Sequence, residues 1–283
     1  MTSFLVGIGS QRAGSTLLHK VLDECSPVFM HPVKELHYYD TLFQVRSPDV
    51  LVDFSNRQLN REIDRLISAK SFGYIDKKYQ CFIRANKILA NNPVEDIDYI
   101  DLFRPCISGS NFLGEITPEY MILPEEGVAQ MAKDLGRDTH IILISRDPVE
   151  RFLSAFKLLK NYDNPNYDQK NFERDLELTL DQMPEWIEQQ SELNDYESAL
   201  NRFGRYFDNI LFLSFEKMIE DPDQFRCNIE DFLNIDIDDV KFKDIMSTKV
   251  NSIGNTASVN SSVKTKLARK FKDNKQFLLE TFK

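Results

Sequence analysis

Residues 4–22 read FLVGIGSQRAGSTLLHKVL. The run Ser3–Ile8 is apolar and ends in glycines, which predicts a short buried strand. From Ser15 onward, Leu17, Leu18, Val21 and Leu22 fall at helical spacing. Between strand and helix, Gly9–Thr16 has the form Gly-x-x-x-x-Gly-Ser-Thr. Strand, glycine-rich turn, helix is the opening unit of a phosphate-binding α/β fold. The spacing is that of the triphosphate loop G-x-x-x-x-G-K-[ST], except that Ser15 stands where that loop has its lysine. A basic residue is present, but earlier in the loop, at Arg12. Backbone N–H groups of the turn, the helix N-terminus and the hydroxyls of Ser15 and Thr16 can still hold a phosphate. What is missing is a cation aimed at β- and γ-phosphates.

The alternation continues along the chain. Pro27–Met30, Asn111–Ile116, His140–Ser145 and Ile210–Ser214 read as further strands. Helices are predicted over 124–136, from Pro148 behind the cap Asp147, over 171–181, 184–204 and 223–233, and in a basic segment at the end. Short apolar strands between helices imply an α/β fold with a mainly parallel sheet covered on both faces. In such sheets ligands bind beyond the carboxyl ends of the strands. Residues 40 to about 110 differ. Helical patterns such as RQLNREIDRLISAK mix there with Phe43, Phe54, Phe72, Tyr74, Tyr79 and Phe82. This region reads as a helical, aromatic-rich insertion within a single domain spanning 1–283, and it is expected to shape the pocket of a second ligand.

Composition narrows the partners. The 283 residues are 42% hydrophobic and 28% charged, an ordinary globular balance. The formal net charge of −10 argues against a general nucleic-acid binder. An anionic ligand must therefore be held by a local cluster of donors against the global field. The four cysteines form no C-x-x-C pair, and the four histidines lack metal-site spacing, so no metal is expected. No apolar run reaches membrane-spanning length, and the early strand leaves no room for a signal peptide, which points to a cytoplasmic protein.

The strand at His140–Ser145 leads into RDPVERFLS, Arg146–Ser154. An arginine at the strand end and a serine two turns into the next helix can clamp a second phosphate. The same stretch fails as the acidic metal-binding strand end of a nucleotidase, because Ser145 and Arg146 intervene and Asp147 reads as a helix cap. Together the two stretches resemble the sulfotransferases that use 3′-phosphoadenosine 5′-phosphosulfate (PAPS). In that family a loop often written Q-K-A-G-T-T holds the 5′-phosphosulfate, and the Arg…Ser pair holds the 3′-phosphate. Here the loop is Gln11-Arg12-Ala13-Gly14-Ser15-Thr16, followed by Leu17. KELHYYD (Lys34–Asp40) is similar to the KE-x-HFF segment of the heparan-type branch, whose glutamate is the catalytic base. GEITPEY (Gly114–Tyr120) looks like that branch's E-x-[ST]-P-x-Y segment, with Ile116 where several such enzymes have lysine. LFLSFEKMIEDP also resembles a late strand of the family. The resemblance runs in order over most of 1–235.

That resemblance implies sulfuryl transfer from PAPS, leaving adenosine 3′,5′-bisphosphate (PAP), to a hydroxyl or amine. It implies Glu35 as general base, with His37 as rival, and Lys34 beside the sulfuryl group. Arg12 can neutralise charge on the leaving oxygen. The sulfuryl group carries less charge than a γ-phosphoryl group, so a metal is less necessary. Asn251 and Ser252 are placed over the nucleotide by position alone. The acceptor stays open between a carbohydrate, a lipid and a small hydroxylated metabolite. Two other readings also stay open: a small-molecule kinase or nucleotidase with an altered loop, and a non-catalytic nucleotide-binding protein.

Overall fold

The computed structural model describes residues 2–68, 76–104, 106, 107, 109, 111–164, 166–247, 259 and 261–283. Asn251 and Ser252 lie outside the described residues, as do Phe72 and Tyr74.

Five strands form one sheet: β1 (Ser3–Gly9), β2 (Phe29–Met30), β3 (Phe112–Ile116), β4 (His140–Ser145) and β5 (Asn209–Ser214). Their order is β2-β3-β1-β4-β5, and every neighbouring pair is parallel. β1 is central. The chain first builds to one side of it through β2 and β3, then crosses to the other side for β4 and β5. The loops leaving β1, β3 and β4 therefore diverge around one crevice at the carboxyl end of β1, the usual ligand position in such sheets.

Side-chain alternation divides the core. Val6, Ile8, Ile141 and Leu143 face one apolar cluster, and Leu5, Ile142 and Ile144 face the other. The second cluster is covered by α1 (Ser15–Cys25) through Leu17, Leu18, Val21 and Leu22. The first is covered by α2 (Tyr38–Leu42), α3 (Pro48–Ser68), α4 (Lys77–Asn91) and α5 (Glu125–Leu135). A third, smaller cluster joins α6 (Pro148–Asp163) to α7 (Phe172–Gln182) through Phe152, Phe156, Phe172 and Leu176.

The insertion is helical as expected, with α3 packed on α4. Several of its aromatics pack toward the sheet. Phe43, Phe54 and Phe82 are partly buried against the first core cluster. Tyr38, Tyr39, Tyr99 and Phe103 make tilted and edge-on ring contacts with one another and with Phe4 or Tyr120. Aromatic area is large, so this burial fixes the insertion to the sheet.

The helix expected over 184–204 is two helices, α8 (Pro184–Glu192) and α9 (Tyr196–Phe203). Polar side chains break it. Asp195 accepts the Ser198 N–H as a fresh cap. Asn194, fully buried, turns inward to donate to the Pro148 carbonyl and to accept from Arg151. Beyond β5 come α10 (Phe215–Glu220), α11 (Pro222–Leu233) and α12 (Asp239–Ser247). The final basic segment is also two helices, α13 (Ser261–Lys270) and α14 (Lys272–Thr281). They meet at Phe271, which is buried against Phe152.

Candidate active site

The loop between β1 and α1 turns on residues with positive φ. Gly14 has φ 97°, and a Cβ there would lie 2.8 Å from both Met218 and Phe215. Arg12 has φ 67°, uncommon for a side chain of its size. Strain of this kind persists where surrounding contacts hold it, and here they do. The Arg12 Nε donates to Ser154 Oγ at 3.0 Å. The Arg146 Nη1 donates to the Arg12 carbonyl at 2.9 Å. Thus the two stretches singled out in the sequence, 142 positions apart, meet side by side. No side chain caps α1, so its N-terminal amides point at the same space.

Arg151, the second arginine of RDPVERFLS, escaped the sequence reading. It is fully buried and grips the loop from beneath. Its guanidinium donates to the Gln11 carbonyl (3.4 Å), to the Gln190 side chain (3.1 Å) and carbonyl (2.8 Å), and to Asn194 Oδ1 (2.5 Å). Ser10 Oγ adds a bond to the Leu193 carbonyl at 2.6 Å. The break between α8 and α9 is thus the socket for the loop. Among the described residues no carboxylate pairs with Arg12, Arg146 or Arg151. Burial and the neighbouring Arg146 lower the Arg12 pKa, opposed by the charge of Glu35. Burial, opposed by Tyr196 and helped by Arg146, brings Arg151 down to about 10. Clustered cations without acids form a site for an anion.

Opposite the loop lies the segment 34–40, which runs from beside β3 into α2. Glu115 on β3 is buried and accepts from Thr117 Oγ1 (2.6 Å), the Tyr99 hydroxyl (2.9 Å) and the Leu36 N–H (3.3 Å). The Tyr120 hydroxyl accepts the Tyr38 N–H at 3.1 Å. GEITPEY therefore serves as a bracket for KELHYYD. Ile116 is buried in the apolar core, where no lysine could stand uncompensated.

The bracket sets up a row of charged groups. Lys34 Nζ donates to Glu35 Oε1. His37 Nε2 stands 3.4 Å from Glu35 Oε2, and His37 Nδ1 stands 2.7 Å from Asp40 Oδ2. Arg46 reaches both Asp40 (3.4 Å) and Glu119 Oε1 (3.3 Å). Gln11 of the loop donates to the same Glu119 oxygen at 3.0 Å. Asp40, Arg46 and Glu119 were not picked out from the sequence, although Asp40 and Glu119 stand inside the quoted motifs.

Opposing effects set the proton affinities. Burial pushes Glu35 up, but the His37 hydrogen bond and the Lys34 charge outweigh it and hold the carboxyl at about 2. Burial pushes His37 down, but Asp40, Glu35 and Glu119 raise it to about 10. Burial raises Glu119, against the pull of His37. At neutral pH the row therefore presents an ionised Glu35, one-third exposed, backed by an imidazolium. Such a carboxylate can take a proton from a hydroxyl or amine placed between it and the loop. Of the sequence-predicted residues, Arg12, Arg146 and Ser154 meet through hydrogen bonds, Lys34, Glu35 and His37 form one row, Gln11 joins that row through Glu119, and Ala13 and Leu17 pack into the apolar core.

Comparison with known proteins agrees with the fold. Residues 5–239 match the profile of the family described as the sulfotransferase family, and the chain belongs to it. Human heparan sulfate glucosamine 3-O-sulfotransferase 3A1 is 29% identical over 141 residues, 48% of this chain. The match covers 33% of that curated relative's length. Two solved structures share the fold. The sulfotransferase from Alicyclobacillus acidocaldarius aligns with a TM-score of 0.61 at 15% identity, over 97% of this chain and 92% of its own. The sulfotransferase domain from the curacin biosynthetic pathway aligns with a TM-score of 0.54 at 16% identity, over 96% and 98%. Among the described residues no helix is long and apolar enough to cross a membrane.

Proposed function

We propose that this chain transfers the sulfuryl group of PAPS to a hydroxyl or amine of a small-molecule, lipid or carbohydrate acceptor. The observation that carries this reading is the junction of Arg12, Ser154 and Arg146, with the ionised Glu35 facing it.

The 5′-phosphosulfate lies on the loop amides of Gln11–Leu17 and the N-terminus of α1, with Ser15 and Thr16 hydroxyls donating to its oxygens. Arg146 and Ser154 take the 3′-phosphate. Arg12 faces the bridge between sulfur and phosphate and offsets the charge that grows on the leaving oxygen. Glu35 accepts the proton of the attacking group. Lys34 stands against Glu35 and can also reach the sulfuryl oxygens. His37, charged and fixed by Asp40, steadies Glu35 and is disfavoured as the base itself, since its proton is held to about pH 10. Transfer is in-line and requires no metal, because arginines and amides carry the charge. PAP is the product nucleotide.

The test is mass-detected transfer from PAPS across an acceptor panel, in chelator. Glu35→Gln is expected to lower kcat by about 10²–10⁴-fold, while PAP still raises the melting temperature as in wild type. A variant with full activity removes Glu35 as base. An absolute demand for Mg²⁺, or ATP turnover, removes the sulfuryl-transfer reading.

A further inference from the structure

Glu35, His37 and Glu119 each offer a ligand atom, and the three atoms lie within 4.8 Å of one another. From this geometry we infer an inhibitory binding site for a borderline divalent cation of the Zn²⁺ type, made by these three side chains. The site goes beyond sulfuryl transfer. Only its inhibitory consequence rests on Glu35 being the base.

The remaining atoms of the three side chains are already occupied by groups that would orient a ligand set. Glu35 Oε1 is held by Lys34, leaving Oε2 toward His37. Glu119 Oε1 accepts from Gln11 and Arg46. Its second oxygen, Oε2, is buried and has no hydrogen-bond partner among the described residues. A buried carboxylate oxygen without a donor is costly unless something fills the gap. His37 carries Asp40 on Nδ1 at 2.7 Å, so Nε2 is the nitrogen left to ligate, and an ion binding there displaces the Nε2 proton to solvent. Histidines that bind metals nearly always have such a carboxylate or carbonyl behind them.

Spacing and chemistry fit a small four-coordinate ion. Nitrogen and oxygen ligands at about 2.0–2.1 Å in a tetrahedron stand about 3.4 Å apart. His37 Nε2 and Glu35 Oε2 are separated by 3.4 Å. The Glu35 side chain is one-third exposed, so it can rotate to bring its oxygen to the ion, and its open side leaves room for water as a fourth ligand. One imidazole and two carboxylates suit Zn²⁺ or Co²⁺, whereas Mg²⁺ prefers six oxygens. An ion here takes the Glu35 lone pair that receives the acceptor's proton.

The test uses the full chain freed of metal by chelator, with Zn²⁺ and Co²⁺ as probes. Calorimetry should show one Zn²⁺ bound, not displaced by millimolar Mg²⁺, and Co²⁺ should give the visible bands of a low-coordinate centre. Glu119→Gln should weaken binding by about tenfold or more, and His37→Gln should abolish it. Thermal melts check that both variants fold, and Glu119→Gln serves alone if His37→Gln does not. Unchanged Zn²⁺ affinity in the folded variants overturns the site and places the ion elsewhere, the cysteines included. Absence of binding in wild type overturns it as well. With a working acceptor, Zn²⁺ should lower kcat, as Glu35→Gln does, and the inhibition should be reversed by chelator. If no acceptor is turned over, the titrations still decide the metal site on their own.

Discussion

Arg151 shows how much one side chain can organise. It is a charged group at full burial, and four oxygen acceptors from three residues take its N–H bonds. Truncation leaves those acceptors buried and unpaired, which costs far more than the net worth of the bonds. Arg151→Ala is expected to lose about 3 kcal/mol or more of stability in chemical denaturation. Arg151→Lys keeps the charge but lacks the fork that reaches Gln190, Asn194 and Gln11 together. It should fold less stably than wild type and bind PAP at least about tenfold more weakly, since one lost hydrogen bond to the loop is worth about 1.4 kcal/mol. His37 makes a similar point at the acceptor side. Its position in the row comes from φ 50° and from Asp40, neither of which its sequence neighbours announce.

At the scale of elements, the turns that aim the loops are the sensitive points. Gly14 precedes α1 in a conformation that a Cβ resists, and Met218 and Phe215 close the space around it. Gly14→Ala should cost about 1–2 kcal/mol from backbone strain alone, and it should reduce PAP affinity because the α1 amides move off the anion. The start of α6 has a different support. Asp147 accepts the N–H groups of Val149 (3.0 Å) and Glu150 (3.1 Å) and pairs with Lys275 of α14 at 2.8 Å. Burial pushes its carboxyl up, but the Lys275 contact and these N–H bonds together hold it below its ordinary value. A depressed carboxyl stabilises the fold above its unfolded pKa, near 3.9, and loses that contribution as pH falls through the lower folded value. Asp147→Asn should therefore be less stable than wild type by about 1 kcal/mol near pH 7, with the gap closing below about pH 4. A gap that stays constant down to pH 2 would mean that capping geometry, not charge, is what Asp147 supplies.

The whole molecule sets a local cation cluster inside an acidic chain. Arg12, Arg146 and Arg151 gather at the carboxyl end of the central strand while the net charge is −10. On the proposed reading, a bisphosphate nucleotide would relieve their mutual repulsion and bridge β1, β4 and α6. PAP at a hundredfold excess over Kd should stabilise the fold by about 2.7 kcal/mol, a rise of about 5 °C or more for a domain of this size. Arg146→Ala should abolish most of that shift without unfolding the protein. An unchanged shift in this variant would show that Arg146 holds the loop carbonyl and not the nucleotide.

The chain order by itself determined the strands of a parallel sheet, the turn at Gly9–Thr16 and the capped start of the helix behind Asp147. These are local properties: strand periodicity, glycine at a turn, proline behind a capping aspartate, each legible within about ten residues. The assembly of Glu35, His37, Asp40, Arg46 and Glu119 was not legible as one group, because its members come from separate segments whose distances no local pattern encodes. The same holds for Arg151, whose partners Gln11, Gln190 and Asn194 arrive from both directions along the chain. The tertiary structure also decided the fate of the aromatic insertion, since burial against Phe4 and Tyr120 depends on which sheet face it covers. Buried polar groups must find partners wherever the fold brings them. That requirement, and not helix propensity, broke 184–204 into two helices and made the break a seat for the phosphate loop.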